Sequence, residues 1–192
     1  TQPEIKKVFL LNQDYAHGKQ WAHYGRDMVG KARPDIQFVG ETLHPMGRIK
    51  DFAPYVSKMK EVGADTVITG NWGQDLTLLL KSAGDAGYPL RYFNHSAGGF
   101  PGTVTAVSQA KIGQVTWVAE WHPGMADRPL AEARAKEYKA KMNQDFLAPR
   151  MDLVPRMLAA AMAKAQSTEP VKNAKAMEDM SMDTVFGPVK MR

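Results

Sequence analysis

The chain has 192 residues, 44% of them hydrophobic, with no cysteine and a formal net charge of +5. That length holds one good core, or one lobe plus part of another. No apolar run is long enough to cross a membrane as a helix, and the lack of Cys excludes disulfides, thiolate catalysis and Cys-based zinc sites. Lys and Arg mostly alternate with acids, as in Glu132-Ala-Arg134-Ala-Lys136-Glu137. That pattern is a solvated helix face rather than a surface for nucleic acid.

Up to about Val118 the pattern alternates strictly between strand and helix. Val8 to Leu11 reads as a strand and Gly18 to Lys31 as a helix, closed by Pro34. Ile36 to Gly40 is the second strand. A helix follows, with Asp51 as its expected N-cap, Pro54 in its first turn, and Phe52, Tyr55, Val56 and Met59 on one apolar face. Thr66 to Thr69 leads to a helix from Asp75 to Ala86, stopped by Gly87 and Pro89. Tyr92-Phe93 leads to a helix near Thr103 to Ala110, and Gln114 to Val118 is the last strand of the series. Such alternation with short loops predicts an α/β fold, a parallel sheet with helices on both faces.

After Trp121-His122-Pro123-Gly124 the character changes. Helices are expected at Pro129 to Asn143, Leu153 to Gln166 and Val171 to Met180, with one short strand at Thr184-Val185-Phe186. The division is therefore expected at residues 1–120 and 121–192. The second part carries more helix than its strands can cover, so Met157, Leu158 and Met162 are expected to expose an apolar stripe. The chain starts at Thr1 without Met or a signal-like apolar stretch, so either a leader has been removed or the sequence is an excerpt.

Three strand ends carry aromatic and polar groups: Asn12-Gln13-Asp14-Tyr15-Ala16-His17-Gly18, Gly70-Asn71-Trp72-Gly73, and Asn94-His95-Ser96-Ala97-Gly98-Gly99. In open α/β folds ligands bind at the carboxyl edge of the sheet. The candidate binding residues are thus Tyr15, His17, Asn71, Trp72, His95 and Ser96. Trp72 is read as a pocket wall because Gly70 and Gly73 let a ligand approach the backbone; the plainer reading is a core aromatic capping the sheet. Likewise His17 could be a surface histidine, Tyr15 could pack on Trp21, and His95 with Ser96 could cap a turn. Lys19 and Gln20 open the first helix and would favour an anion at its N-terminus, yet no phosphate loop is present. The five His lack metal-binding spacing, and no nucleophile–His–acid order stands out. Neither a metal, another cofactor nor an enzymatic role is expected.

Several segments together resemble the branched-chain amino-acid (leucine/isoleucine/valine-binding) family of periplasmic solute-binding proteins that serve ABC importers. They are Lys7 to Gly18, Asp51 to Lys60, Gly63 to Trp72, Leu158 to Ala165 with Ser167-Thr168-Glu169-Pro170, and Thr184 to Gly187. The resemblance implies a type I periplasmic-binding-protein-like fold of two lobes joined by three crossing segments. It implies most of one lobe here, helices of an incomplete second lobe, and neither the opening part of the first lobe nor the C-terminal tail. It also implies a periplasmic location, a small-molecule ligand and a membrane permease as partner. A ligand sensor of a regulator or receptor with the same fold is the alternative. The aromatic before the first helix corresponds to His17, the aromatic after the third strand to Trp72, and the acid that takes an α-amino group to about Ser96. Without a carboxylate there, a buried ammonium would lack its partner. The resemblance therefore implies a small carboxylate, amide or amino-acid-like ligand, and one without the amine fits as well or better.

Overall fold

The computed structural model describes residues 2–88, 90–97, 101–110, 112, 114–118, 121–122, 128–143 and 150–192. The chain forms two compact units, residues 1–119 and 120–192.

The first unit is an α/β layer built on a five-stranded parallel sheet. Its strands are β1 (Lys7–Gln13), β2 (Gln37–His44), β3 (Thr66–Ile68), β4 (Arg91–Asn94) and β5 (Gln114–Trp117), arranged β2-β1-β3-β4-β5. Four helices alternate with them: α1 (Ala16–Ala32), α2 (Ala53–Glu61), α3 (Gly73–Asp85) and α4 (Pro101–Gln109). Because side chains alternate along a strand, β1 sends Phe9 and Leu11 to one face and Val8 and Leu10 to the other. The first face, with Val67 and Tyr92, receives Phe52, Val56 and Met59 of α2 and Leu76, Leu79, Leu80 and Ala83 of α3. The three-four spacing in α3 gives one stripe wide enough to cover a sheet. The second face, with Ile68, receives Ala22, Trp21 and Val29 of α1. Both faces are thus covered by helices, as the alternation predicts. Cover on the α1 side is thinner: Ile5, Trp21, Met28, Ile36, Ile68 and Phe93 line an open apolar trough of about 750 Å³.

β2 continues to His44, four residues beyond the expected end at Gly40, because its pairing with β1 runs on to Gln13↔His44. As the edge strand of the sheet it carries Glu41 and Thr42 outward, and the apolar signal fades before the strand does. The register shifts between Val8 and Phe9, which leaves Val39 unmatched. Gly40, opposite Phe9, stands where a Cβ would strike the Phe9 ring. Asp51 is not the N-cap of α2. Phe52 is, and the Asp51 carboxylate accepts the Ala53 N–H at 2.9 Å.

The second unit holds α5 (Pro129–Met142), α6 (Arg150–Ala165), α7 (Pro170–Met177) and an antiparallel hairpin of β6 (Ser181–Thr184) and β7 (Gly187–Lys190). The strand expected at Thr184–Phe186 is corrected by this hairpin: Val185 and Phe186 form its turn. Their apolar character serves packing with Trp121, Ala131 and Ala135 instead of pairing. Gly187 adopts φ 101, and the Thr184 hydroxyl donates to Gly187 O at 2.7 Å. α6 begins at Arg150, ahead of the expected Leu153, and carries Pro155 within its second turn, where a missing N–H costs one bond. The exposed apolar row on α6 is Met151, Val154 and Leu158, while Met157 and Met162 are half-buried. Pro89 and the stretch Pro123-Gly124, both used as expected breakpoints, lie outside the described residues.

Candidate ligand-binding site

The strand order reverses direction at β1, since β2 follows it on one side and β3 on the other. In open parallel sheets such a reversal leaves a crevice at the carboxyl ends of the two strands. Tyr15 stands at the end of β1 as the N-cap of α1, and Trp72 follows β3 as the N-cap of α3. Across the crevice the Trp72 Nε1–H donates to Tyr15 Oη at 2.8 Å. Neither residue supplies a side-chain cap to its helix, so the first-turn N–H groups of two helices are left to other acceptors. Gly73 takes φ 58, a left-handed conformation that lets α3 begin directly after the indole.

His17 lies inside the first turn of α1, not before the helix, and packs 5.7 Å from Tyr15 between ring centres. His95, in the loop after β4, meets His17 edge-on at 4.8 Å. Trp21, one turn beyond His17, lies 5.2 Å from His95 and 6.3 Å from His17. Tyr15, His17, Trp72 and His95 are therefore gathered at one sheet edge, and Trp21 joins them. Sequence reasoning treated Trp21 only as a packing partner; its position four residues after His17 on a helix was the available signal. Trp21 also fills the approach to Gly70, whose absent Cβ would strike the indole. Gly70 thus accommodates a protein ring rather than a ligand. The trough on the α1 face reaches this aromatic group through His17 and Trp21. Trp72 is 40% exposed, so a flat surface remains open to a solute.

Asn71 and Ser96 occupy different positions. Asn71 is fully buried; its Oδ1 pairs with His44 Nε2 at 3.0 Å, and its backbone carbonyl accepts Asn94 Nδ2 at 2.8 Å. The Ser96 hydroxyl and backbone N–H both donate to Asn94 Oδ1, at 3.1 and 2.6 Å. Beneath the aromatics lies a polar scaffold that pins the loops. Asn94 Nδ2 also reaches Thr69 O at 2.7 Å, and Asn12 Oδ1 accepts the Gly70 N–H at 2.6 Å. Asp75 Oδ2 accepts from Gln13 Nε2 at 2.7 Å and from the Gly47 N–H at 2.9 Å. The signal for Asn12, Gln13 and Asn94 is a polar residue closing an apolar strand, where buried groups must find partners.

No acid occurs between Asn94 and Pro101, and Asp14 is paired with Lys19 at 3.0 Å. Gly98 and Gly99 lie outside the described residues. Burial, and then the neighbouring His17, push the His95 imidazole below its ordinary value of 6.5. The unfolded chain therefore takes up this proton before the folded one, and stability from His95 is complete above about pH 6.5 and declines as the pH falls. Thermal melts between pH 8 and 5 are expected to show this decline, and His95→Phe should make it shallower. An unchanged profile in that variant would mean that other groups set it. Among the described residues no cluster of three or more His, Asp or Glu could hold a metal ion, and no helix is long and apolar enough to cross a membrane.

A family model described as periplasmic binding protein matches residues 1–192. The chain is 28% identical over 197 residues to Leu/Ile/Val-binding protein homolog 4 of Brucella abortus (strain 2308), covering 97% of this chain and 45% of that protein. It thus spans about half the length of the curated relatives it matches. Among solved structures, the leucine-, isoleucine-, valine-, threonine- and alanine-binding protein of Brucella ovis superposes with a TM-score of 0.59 at 26% identity, covering 97% of this chain and 48% of that one. An ABC-transporter solute-binding protein of R. palustris in complex with 4-hydroxybenzoate shares the fold with a TM-score of 0.67 at 20% identity, over 99% of this chain and 53% of that one. These relatives are binding proteins, not enzymes.

Proposed function

The chain belongs to the periplasmic binding protein family, and from that premise we propose that it takes part in capturing a small organic acid in the periplasm for an ABC importer. The ligand is a carboxylate or amide without an α-amino group, and a membrane permease is the partner. In this reading residues 1–120 form one lobe of the binding protein, and the helices of 121–192 belong to the other. The observation that carries the proposal is the Trp72–Tyr15 pair at the strand-order reversal, with an indole face open to solvent. Two helix N-termini without side-chain caps add a mild preference for negative charge. The absence of an acid from Asn94 to Pro101 argues against an ammonium group at the β4 end of this edge, while Asp75 lies buried beneath the aromatics and relatives are named for amino acids.

An aromatic wall contributes about 0.5–1.5 kcal/mol beyond the apolar area that it buries. Trp72→Ala is therefore expected to weaken binding about tenfold or more. Calorimetry with ligands found in a thermal-shift screen of aromatic and aliphatic carboxylates against leucine and valine tests both statements. Unchanged affinity in a folded Trp72→Ala protein would remove Trp72 from the site. Stabilisation by leucine or valine above all the carboxylates would overturn the ligand class.

A further inference from the structure

Two ring nitrogens in the aromatic group have no hydrogen-bond partner. His17 Nε2 and His95 Nδ1 are both buried, and neither is satisfied among the described residues. The two rings meet edge-on with centres 4.8 Å apart and planes at 65°. A buried polar atom in a native structure normally has a partner, and an orphan at a binding surface marks a place where a partner arrives. Two such atoms on adjacent rings, walled by Trp21 and Tyr15, mark one place rather than two.

The chemistry of the pair restricts what can arrive. Burial, and then the neighbouring His17, hold the His95 imidazole below its ordinary pKa. Tyr15 is the other titratable ring in contact with the pair. Asp14 and Lys19 at the start of α1 are engaged with each other in an exposed ion pair, and Asn94 to Pro101 adds no acid. A neutral imidazole has one nitrogen that donates and one that accepts. With Asp14 and Lys19 engaged with each other, an ammonium would meet no free carboxylate beside the pair and a carboxylate no free Lys or Arg, so either would give up hydration for little ion-pair compensation. A hydroxyl both donates and accepts, so one ring nitrogen that accepts and one that donates satisfy it. Its carrier lies against aromatic faces, which suit a flat ring.

We propose that His17 and His95 form a polar subsite for a ring hydroxyl, so that the ligand is a phenol-type acid whose hydroxyl end is read at this edge. This inference rests on the proposed binding site and narrows its ligand class. One imidazole accepts the phenolic O–H, and the other donates to the same oxygen.

Calorimetry with 4-hydroxybenzoate and benzoate as probes tests it. The protein is expected to bind 4-hydroxybenzoate about tenfold or more tightly than benzoate, as a satisfied buried hydrogen-bond pair would give. His17→Phe and His95→Phe keep the ring packing and remove the nitrogens, and each should bring that ratio close to one. His95→Gln, which restores an amide donor and acceptor, should recover part of it. A ratio near one in the unaltered protein overturns the subsite whatever the variants do. So does a ratio that survives both Phe substitutions. In either case continued sensitivity of benzoate binding to Trp72→Ala leaves the carboxylate-binding site standing. Failure of both probes to bind removes the aromatic-acid reading, and the subsite with it.

Discussion

Phe52→Ala is expected to destabilise the first unit by about 3–5 kcal/mol, the usual cost of deleting a fully buried aromatic ring. Phe52 is completely enclosed, meets His44 edge-on at 5.0 Å between ring centres, and packs 5.4 Å from Tyr55. It also caps α2, and its N–H donates to Ser82 Oγ at 3.3 Å. A loss of that size approaches the whole stability of an ordinary domain, which is about 5–15 kcal/mol. Hydrogen exchange followed by mass spectrometry should show protection falling along Lys7–Gln13 and Thr66–Ile68. If those strands exchange as slowly as in the unaltered protein, α2 is not the cover of this face.

Asp75→Ala is expected to cost on the order of 3 kcal/mol, because it strands two donors at once. Gln13 Nε2 and the Gly47 N–H share one carboxylate oxygen, and both would lose their acceptor. Asp75 is also the acidic residue in the first turn of α3, where a negative charge suits the helix end. Asp75→Asn keeps one acceptor oxygen and should cost clearly less. Urea unfolding of the two variants side by side gives the comparison. Equal stability of Asp75→Ala and the unaltered protein would mean that the network does not hold the β1, β2 and α3 ends together.

Much of the layer architecture was legible because strand and helix periods alternate cleanly from Val8 to Trp117. The places where the reading failed share a cause, which is that the controlling partner is distant in sequence. The end of β2 is set by pairing with β1, so the polar Glu41 and Thr42 concealed it. Val185 and Phe186 resemble strand residues, yet they fill a cluster with Trp121 from a turn. At the site, strand-end logic brought Tyr15, His17, Trp72 and His95 to one edge. It could not show that Asn71 is held by His44, whereas Ser96, bonded to Asn94 two residues away, follows the turn-capping alternative. Adjacent residues in a loop face different ways, and for Asn71 a partner 27 residues away decides that it faces inward. Trp21 was missed for the same reason, since its neighbour across the fold is Gly70.

The position of β1 has a consequence for how the molecule is made. It precedes the other strands of its sheet in the chain, yet it pairs on both sides with strands that come later, β2 and β3. The Trp72–Tyr15 bond joins residues 57 positions apart and lies over the junction of β1 and β3. A parallel sheet of this order cannot form by local zipping, because each strand must wait for a crossover to close before it gains a partner. During synthesis the β3-facing edge of β1 therefore remains unpaired until β3 has been made, and a nascent chain halted before Thr66 carries an apolar strand with an open edge. The crevice that is proposed to receive the solute is thus also the seam along which the sheet closes.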